Sequence, residues 1–394
     1  MTIALVICGA GANPHSSTEF AHGLSRLQRQ TGPLADWHWA PHSDAASLLS
    51  TALAAGQGRP DNDKVLLLAH AQLLMADGTL AQLHAGLHHG LDMALSFGPQ
   101  HWPAPHSPDY CTLRGLERYT QLMARLPPEP AQTLSTLPHN SLACLTSLGA
   151  LRTLHAQGSI RAQWQPGCFT HDFSTYHQGH QGRSEMVPWV PAQAKRVLDV
   201  GGGEGYFLHA LRLQRGCETH LAEFSVSACD AARPYVDHVW PGDFLTQDFL
   251  GWPHQGQPSF DCITFLDVLE HAPDPQTWLQ RAKTLLAPDG TIVASIPNVG
   301  HWGVIADLLE GRWDYCPVGI HCVTHLRFFT EQGVQELFAQ SGYAIEQCEA
   351  VLVPCPAQWQ QHWAQTPGLQ VNTASWNTYA FLIRARPVAP STTP

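Results

Sequence analysis

Arg196 to Phe207 reads RVLDVGGGEGYF, and this stretch decides the fold. Apolar Val197, Leu198 and Val200 surround a carboxylate, Asp199. Three consecutive glycines follow (Gly201, Gly202, Gly203), then Glu204, Gly205 and a helix-like run, YFLHALRLQ. A buried strand that runs into a glycine-rich turn and a helix is the nucleotide-binding start of a doubly wound α/β sheet. The glycines let the backbone take φ > 0 and let a ligand approach the main chain closely. Alone, such a turn holds a dinucleotide, an adenosyl group, or nothing at all.

The residues downstream separate these readings. A second apolar run, CETHLAEF, carries Glu223, about twenty residues after the glycines, where an acidic side chain can grip a ribose hydroxyl pair. Gly242-Asp243-Phe244 offers a carboxylate and a ring to an adenine. A further strand, Phe260 to Leu266, leads into Asp267-Val268-Leu269-Glu270-His271. Ala272-Pro273-Asp274-Pro275 then starts a helix, its prolines fixing φ. After that helix, Pro288-Asp289-Gly290 turns into the strand TIVASIP.

This ordered series resembles the class I S-adenosylmethionine-dependent methyltransferases over roughly Gln178 to Arg386. The dinucleotide fingerprint fits less well, because its third glycine would fall at Tyr206. The resemblance implies a Rossmann-like doubly wound sheet, S-adenosyl-L-methionine as cofactor and S-adenosyl-L-homocysteine as product. It also implies roles by position. Asp199, Gly201, Gly203 and Gly205 surround the methionine part, Glu223 binds the ribose, and Asp243 with Phe244 contacts the adenine. Leu266 and Asp267 line the cofactor near its amino-acid tail. Tyr176 and Arg183 stand where related enzymes close a helix over the methionine carboxylate.

Farther along come Pro297-Asn298-Val299-Gly300-His301-Trp302, Arg312-Trp313-Asp314-Tyr315 and Thr324-His325-Leu326-Arg327-Phe328-Phe329-Thr330. This run resembles methyltransferase modules found beside bacterial glycan-biosynthesis glycosyltransferases. It implies O-methylation of a sugar or sugar-containing small-molecule intermediate. The sulfonium is already activated, so the enzyme supplies orientation and, for a hydroxyl acceptor, a base. His301 and His271 are the candidates, since both follow C-terminal ends of strands and an imidazole titrates near neutrality. Glu270-His271 has the alternative of shaping its loop. His325 and Arg327 suit an anionic group on the substrate. Trp313 and Tyr315 suit a sugar face, with core or lid packing as their alternative and the expectation for Phe328 and Phe329.

The first half repeats the α/β theme. IALVICG precedes the helix pattern EFAHGLSRLQRQ. DAASLLSTALAAGQ precedes the strand Lys64 to Ala69. TLAQLHAGLHHG precedes the strand-like MALSFGP. Alternating strands and helices predict a mostly parallel, helix-covered sheet. The order resembles the nucleotide-sugar half of family 2-type (GT-A-like) glycosyltransferases. Where those enzymes carry an Asp-x-Asp-like motif, this chain has Ala69-His70-Ala71, and the oxygen ligands for Mg²⁺ or Mn²⁺ are missing. The resemblance therefore implies a degenerate glycosyltransferase-like module, residues 1–157. The boundary is expected near Gln157-Gly158-Ser159, with a methyltransferase domain at 158–388 and a disordered tail at 389–394. A bifunctional glycosyltransferase-methyltransferase and a non-catalytic binding module are the alternatives.

The chain has 394 residues, more than one ordinary core needs, and a net charge of -11, which argues against a nucleic-acid partner. No apolar run reaches membrane-spanning length, and MTIALVICGAG lacks a basic leader, so a cytoplasmic protein is expected. The 11 cysteines form no C-x-x-C pair and read as reduced, buried hydrophobes. Among the 24 histidines, His177-Gln178-Gly179-His180 and His321-Cys322-Val323-Thr324-His325 have metal-like spacing. The expectation is nonetheless that the chain holds no metal, His serving as a surface polar residue in a Lys-poor chain. The partner is a small-molecule or glycan-intermediate substrate, and a homodimer is compatible with the chain.

Overall fold

The computed structural model describes residues 3–388 except 10–17, 33–34, 43, 71, 88–89, 98–112, 125–128, 139–141, 173–182, 250–251, 254–255, 258 and 369. It divides into two compact units. The first comprises Met1–Tyr176 with Trp313–Val323, and the second His177–Arg312 with Thr324–Pro394.

The strands of the first unit are β1 (Leu5–Gly9), β2 (Asp36–Ala40), β3 (Lys64–Leu68), β4 (Leu73–Met75), β5 (Met93–Phe97), β6 (Gln132–Leu134), β7 (Ala143–Ser147) and β8 (Ile160–Asp172). They form one sheet in the order β2-β1-β3-β7-β5-β8-β4, with β6 beside β8. β1 is buried along its whole length because both faces are covered. Leu5 and Ile7 pack with Leu48 and Leu151 on one face, and Val6 and Cys8 pack with Leu27 and Leu83 on the other.

Three expectations for this unit change. The sheet is mixed rather than mostly parallel, because β7 runs antiparallel to both of its neighbours, β3 and β5. The boundary does not fall at 157/158. Beyond Gly158, which ends the helix Leu148–Gln157 in the left-handed conformation, the chain returns as β8 and hydrogen-bonds to β4, β5 and β6. Third, the methyltransferase half is not continuous. Trp313–Val323 groups with the first unit, where His22 donates through Nε2 to the Tyr315 carbonyl at 2.9 Å. Cys316 is buried there with Leu74, Leu116 and Phe169.

In the second unit the strands are β9 (Arg196–Val200), β10 (Glu218–Glu223), β11 (His238–Pro241), β12 (Phe260–Leu266), β13 (Leu286–Pro297), β14 (Tyr343–Leu352) and β15 (Thr378–Pro387). Their order is β11-β10-β9-β12-β13-β15-β14. β9 to β13 are parallel, and β15 is antiparallel to β13. Leu198 and Val200 face a core with Phe265, Leu279 and Ile383, while Val197 faces Phe207, Leu211 and Met186. The strand order reverses between β9 and β12. A doubly wound sheet opens its ligand crevice at that point, at the carboxyl ends of the strands.

Among the described residues, no helix is long and apolar enough to cross a membrane. Nine of the ten cysteines there are buried, and none is in a disulfide.

Candidate active site

The glycine turn joins β9 to the helix Tyr206–Arg215. Gly201, Gly203 and Gly205 take φ of 70°, 56° and 77°, which side chains with a Cβ avoid. Space decides the residue type as well. A Cβ on Gly201 would lie 3.0 Å from Val268 Cγ2, and one on Gly205 would lie 2.5 Å from Val236 Cγ2. A Cβ on Gly202 would run into the Asp199 carboxylate, whereas one on Gly203 meets nothing within 4 Å. The turn is thus packed from below and open at Gly203.

Asp199 lies beneath this turn, 1% exposed, and accepts a 2.5 Å hydrogen bond from the Thr264 hydroxyl on β12. Burial, with a smaller contribution from the nearby Glu223 charge, pushes its carboxyl up to about 7 against that hydrogen bond. A carboxyl so placed shapes the turn from below. Glu223, at the end of β10, clamps the turn from the side. Its two oxygens accept from Gly203 N at 3.0 Å and Ser225 N at 2.7 Å. Each carboxylate oxygen has a further lone pair, so the same group can accept from ribose hydroxyls.

At the end of β12, Asp267 takes φ of 56°. It accepts from the Ser295 hydroxyl at 2.8 Å and from the Arg183 guanidinium, which also pairs with Glu185. Arg183 donates to Ser295 as well, at 3.3 Å, so Arg183, Asp267 and Ser295 form one network over the ends of β12 and β13. Leu266 is half-buried beside it. Tyr176 lies outside the described residues, as do His177 to His180.

Phe244 does not offer an open ring. It is 3% exposed and packs edge-on to Phe265, with Trp278 on another side. Asp243 is exposed and accepts from Leu245 N, closing its own turn. The exposed aromatic is instead Phe224, 79% exposed and directly after Glu223. Its neighbour Glu223 is the signal that could have singled it out.

The histidines divide sharply. His301 is wholly buried and caps the helix Trp302–Leu309. Its Nδ1 accepts from Gly303 N and its Nε2 donates to the Val353 carbonyl, both at 3.2 Å. Burial pushes its pKa down to about 4. With both ring nitrogens engaged and no exposure, His301 is a structural cap, and the expectation of a catalytic base there fails. His271 is half-buried. Its Nδ1 donates to the Thr324 carbonyl at 3.2 Å, which leaves the lone pair on Nε2. His325 stands edge-on to it, ring centroids 4.7 Å apart, and its Nε2 lies 3.9 Å from Glu270 Oε1. Glu270 and His325 converge because the Glu270 carbonyl accepts from both Leu326 N and Arg327 N.

Arg327 spends its guanidinium on the carbonyls of Pro273 and Leu326 rather than holding it out for an anion. Trp313 and Tyr315 belong to the first unit, where their rings meet edge-on with centroids 6.5 Å apart and the Trp313 ring centroid lies 4.4 Å from that of His321. Phe329 is buried in the core of the second unit, and Phe328 is exposed.

Residues 176–348 match the family model described as a methyltransferase domain. Over 160 residues the chain is 31% identical to a ubiquinone biosynthesis O-methyltransferase of Psychrobacter arcticus, which covers 38% of this chain and 57% of the relative. A protein of the same name from Histophilus somni is 28% identical over 177 residues, 41% of this chain and 70% of the relative. The chain thus spans a little over half to about two thirds of these relatives. Among solved structures, an S-adenosylmethionine-dependent methyltransferase from Archaeoglobus fulgidus aligns at 15% identity and a TM-score of 0.38, over 54% of this chain and 97% of that one. Residues 176–348 of the second unit are therefore similar to methyltransferase domains.

Proposed function

We propose that this chain methylates a hydroxyl oxygen on a small-molecule biosynthetic intermediate. The observation that carries the reading is the crevice between β9 and β12, where the glycine turn, Glu223 and the Arg183–Asp267–Ser295 network meet at strand ends. Bound S-adenosylmethionine supplies an activated methyl group.

The residues present fit it. Gly203 leaves the turn open to a close approach, and Glu223 has lone pairs for the ribose. Phe224 gives the adenine an exposed ring, a role Phe244 cannot take from the core. Arg183, beside Asp267, can hand its guanidinium to a carboxylate. Asp199 holds the turn from below. His271, with its lone pair on Nε2, is the crevice imidazole that can receive a proton or a cation.

A sugar-bearing acceptor is the narrower form of this proposal. Its support is the motif run from Pro297 to Thr330 together with an α/β first unit. In that unit β3 is an inner strand and the chain after it reads Ala69-His70-Ala71, without a carboxylate. A degenerate glycosyltransferase-like module accords with these features. The relatives named for O-methylation support oxygen as the acceptor atom.

Calorimetry with S-adenosylhomocysteine tests the cofactor site. Micromolar binding is expected, and Glu223→Ala should weaken it by about 1.5–3 kcal/mol, the scale of hydrogen bonds to a charged group. The absence of heat and of any thermal shift with either S-adenosylhomocysteine or S-adenosylmethionine would refute the proposal.

A further inference from the structure

Glu270 is the least expected residue of the second unit. It is 1% exposed, yet neither carboxylate oxygen accepts a hydrogen bond of normal geometry. His325 Nε2, at 3.9 Å, is too far to donate one. A buried carboxylate without partners costs several kcal/mol, and native structures rarely leave one so. Two histidines surround it. One ligand atom each of Glu270, His271 and His325 lie within 4.8 Å of one another. Two groups bound to one ion at ~2.1 Å stand ~3–4 Å apart, so a small movement of the rings brings all three into range.

We propose that Glu270, His271 and His325 bind a divalent cation of the Zn²⁺, Co²⁺ or Mn²⁺ class. Two imidazoles and one carboxylate suit these ions better than Mg²⁺ or Ca²⁺, which prefer oxygen alone. The cation neutralises the buried carboxylate, and the Thr324 carbonyl that receives His271 Nδ1–H orients the ring, as outer partners of metal-binding histidines do. At this place the proposal departs from the expectation of a chain without metal. The site is built by chain distant in sequence, since the backbone of Leu326 and Arg327 is tied to Glu270.

A second cluster, Glu218, His220 and His238, also has metal-like spacing. There His238 already hydrogen-bonds Glu218 at 3.0 Å, and the His220 ring is stacked between aromatic neighbours. It explains itself without a cation.

Three protein ligands leave coordination positions open. Resting on the methyltransferase reading, those positions would take the acceptor hydroxyl and lower its pKa. The hydroxyl proton leaves to solvent and the oxygen lone pair bonds the methyl carbon. The carbon–sulfur bond breaks, and the sulfur keeps its electron pair as the thioether. His271 then acts as a ligand, not as the base.

Full-length protein stripped with a chelator is titrated with Co²⁺ alone, and the visible absorption, the metal content and the melting temperature are followed. One Co²⁺ per chain is expected, with a stabilising thermal shift. Glu270→Gln and His325→Ala should each weaken binding by at least ~10–100-fold, the range that even outer partners of metal sites command. S-adenosylhomocysteine affinity, measured on the same variants, should stay near wild type, which separates this site from the cofactor reading. Circular dichroism identifies a variant that has not folded, and the conservative His325→Asn then takes its place. The proposal fails if wild type binds no Co²⁺ at micromolar concentration. It fails equally if binding survives in Glu270→Gln and His325→Ala but is lost in His238→Ala.

Discussion

His301 shows how a residue with catalytic credentials is spent on structure. It follows a strand end and has an imidazole, but its ring is buried between Gly303 N and the Val353 carbonyl. His301→Ala removes a helix cap and orphans a buried carbonyl, so a loss of about 2–4 kcal/mol in stability is expected. Cofactor affinity should be unchanged. The pH dependence has a definite sign. Folding lowers the His301 pKa to about 4, below the ~6.5 of an exposed imidazole, so the folded state disfavours the proton. The stability His301 contributes is complete above pH ~6.5 and is lost as the pH falls from there toward about 4. Urea denaturation of wild type and His301→Ala at pH 8 and pH 5 checks both statements. A difference between the two proteins that grows at pH 5 would contradict them.

At the scale of the element, the glycine turn separates folding from binding. Gly205 is in the left-handed region with Val236 against the place of a Cβ, so Gly205→Ala should cost at least about 2 kcal/mol in stability. Gly203 has the same backbone demand but open space above it. Gly203→Ala should cost only about 1–2 kcal/mol in folding. It should weaken S-adenosylhomocysteine by about tenfold or more, or ~1.4 kcal/mol, because the methyl occupies the approach to the turn. Thermal melts paired with calorimetry distinguish the two variants. Equal losses of affinity per unit of lost stability would mean that Gly203 does not face the ligand. The strand–turn–helix around these glycines was legible because both the apolar run and the φ requirement are local. The burial of Phe244 and the exposure of Phe224 were not, since which ring enters the core depends on Phe265 and Trp278 from other elements.

For the whole molecule, the interruption of the second unit matters most. Residues 1–157 lack β8, which bonds to three strands, and residues 1–176 still lack Trp313–Val323 with its buried Cys316. Residues 1–157 expressed alone should therefore be insoluble or lack cooperative unfolding, while the full chain folds. A cooperative melt from residues 1–157 would show that β8 is dispensable. Residues 1–176 should fold more weakly than the first unit does in the full chain, because the apolar surface around Leu74 and Phe169 loses its cover.

By itself the sequence determined the parallel core of the second unit, its glycine turn and the carboxylates at its strand ends. These rest on short-range patterns: apolar runs of strand length, glycines where φ must be positive, and acids at fixed offsets. Only the tertiary structure decided the mixed sheet of the first unit, the transfer of Trp313–Val323 to it, the burial of His301 and Phe244, and the meeting of Glu270 with His325. Each depends on which surfaces meet across dozens of residues. Burial and partner choice are settled by packing between elements, and a linear pattern carries no record of those distances.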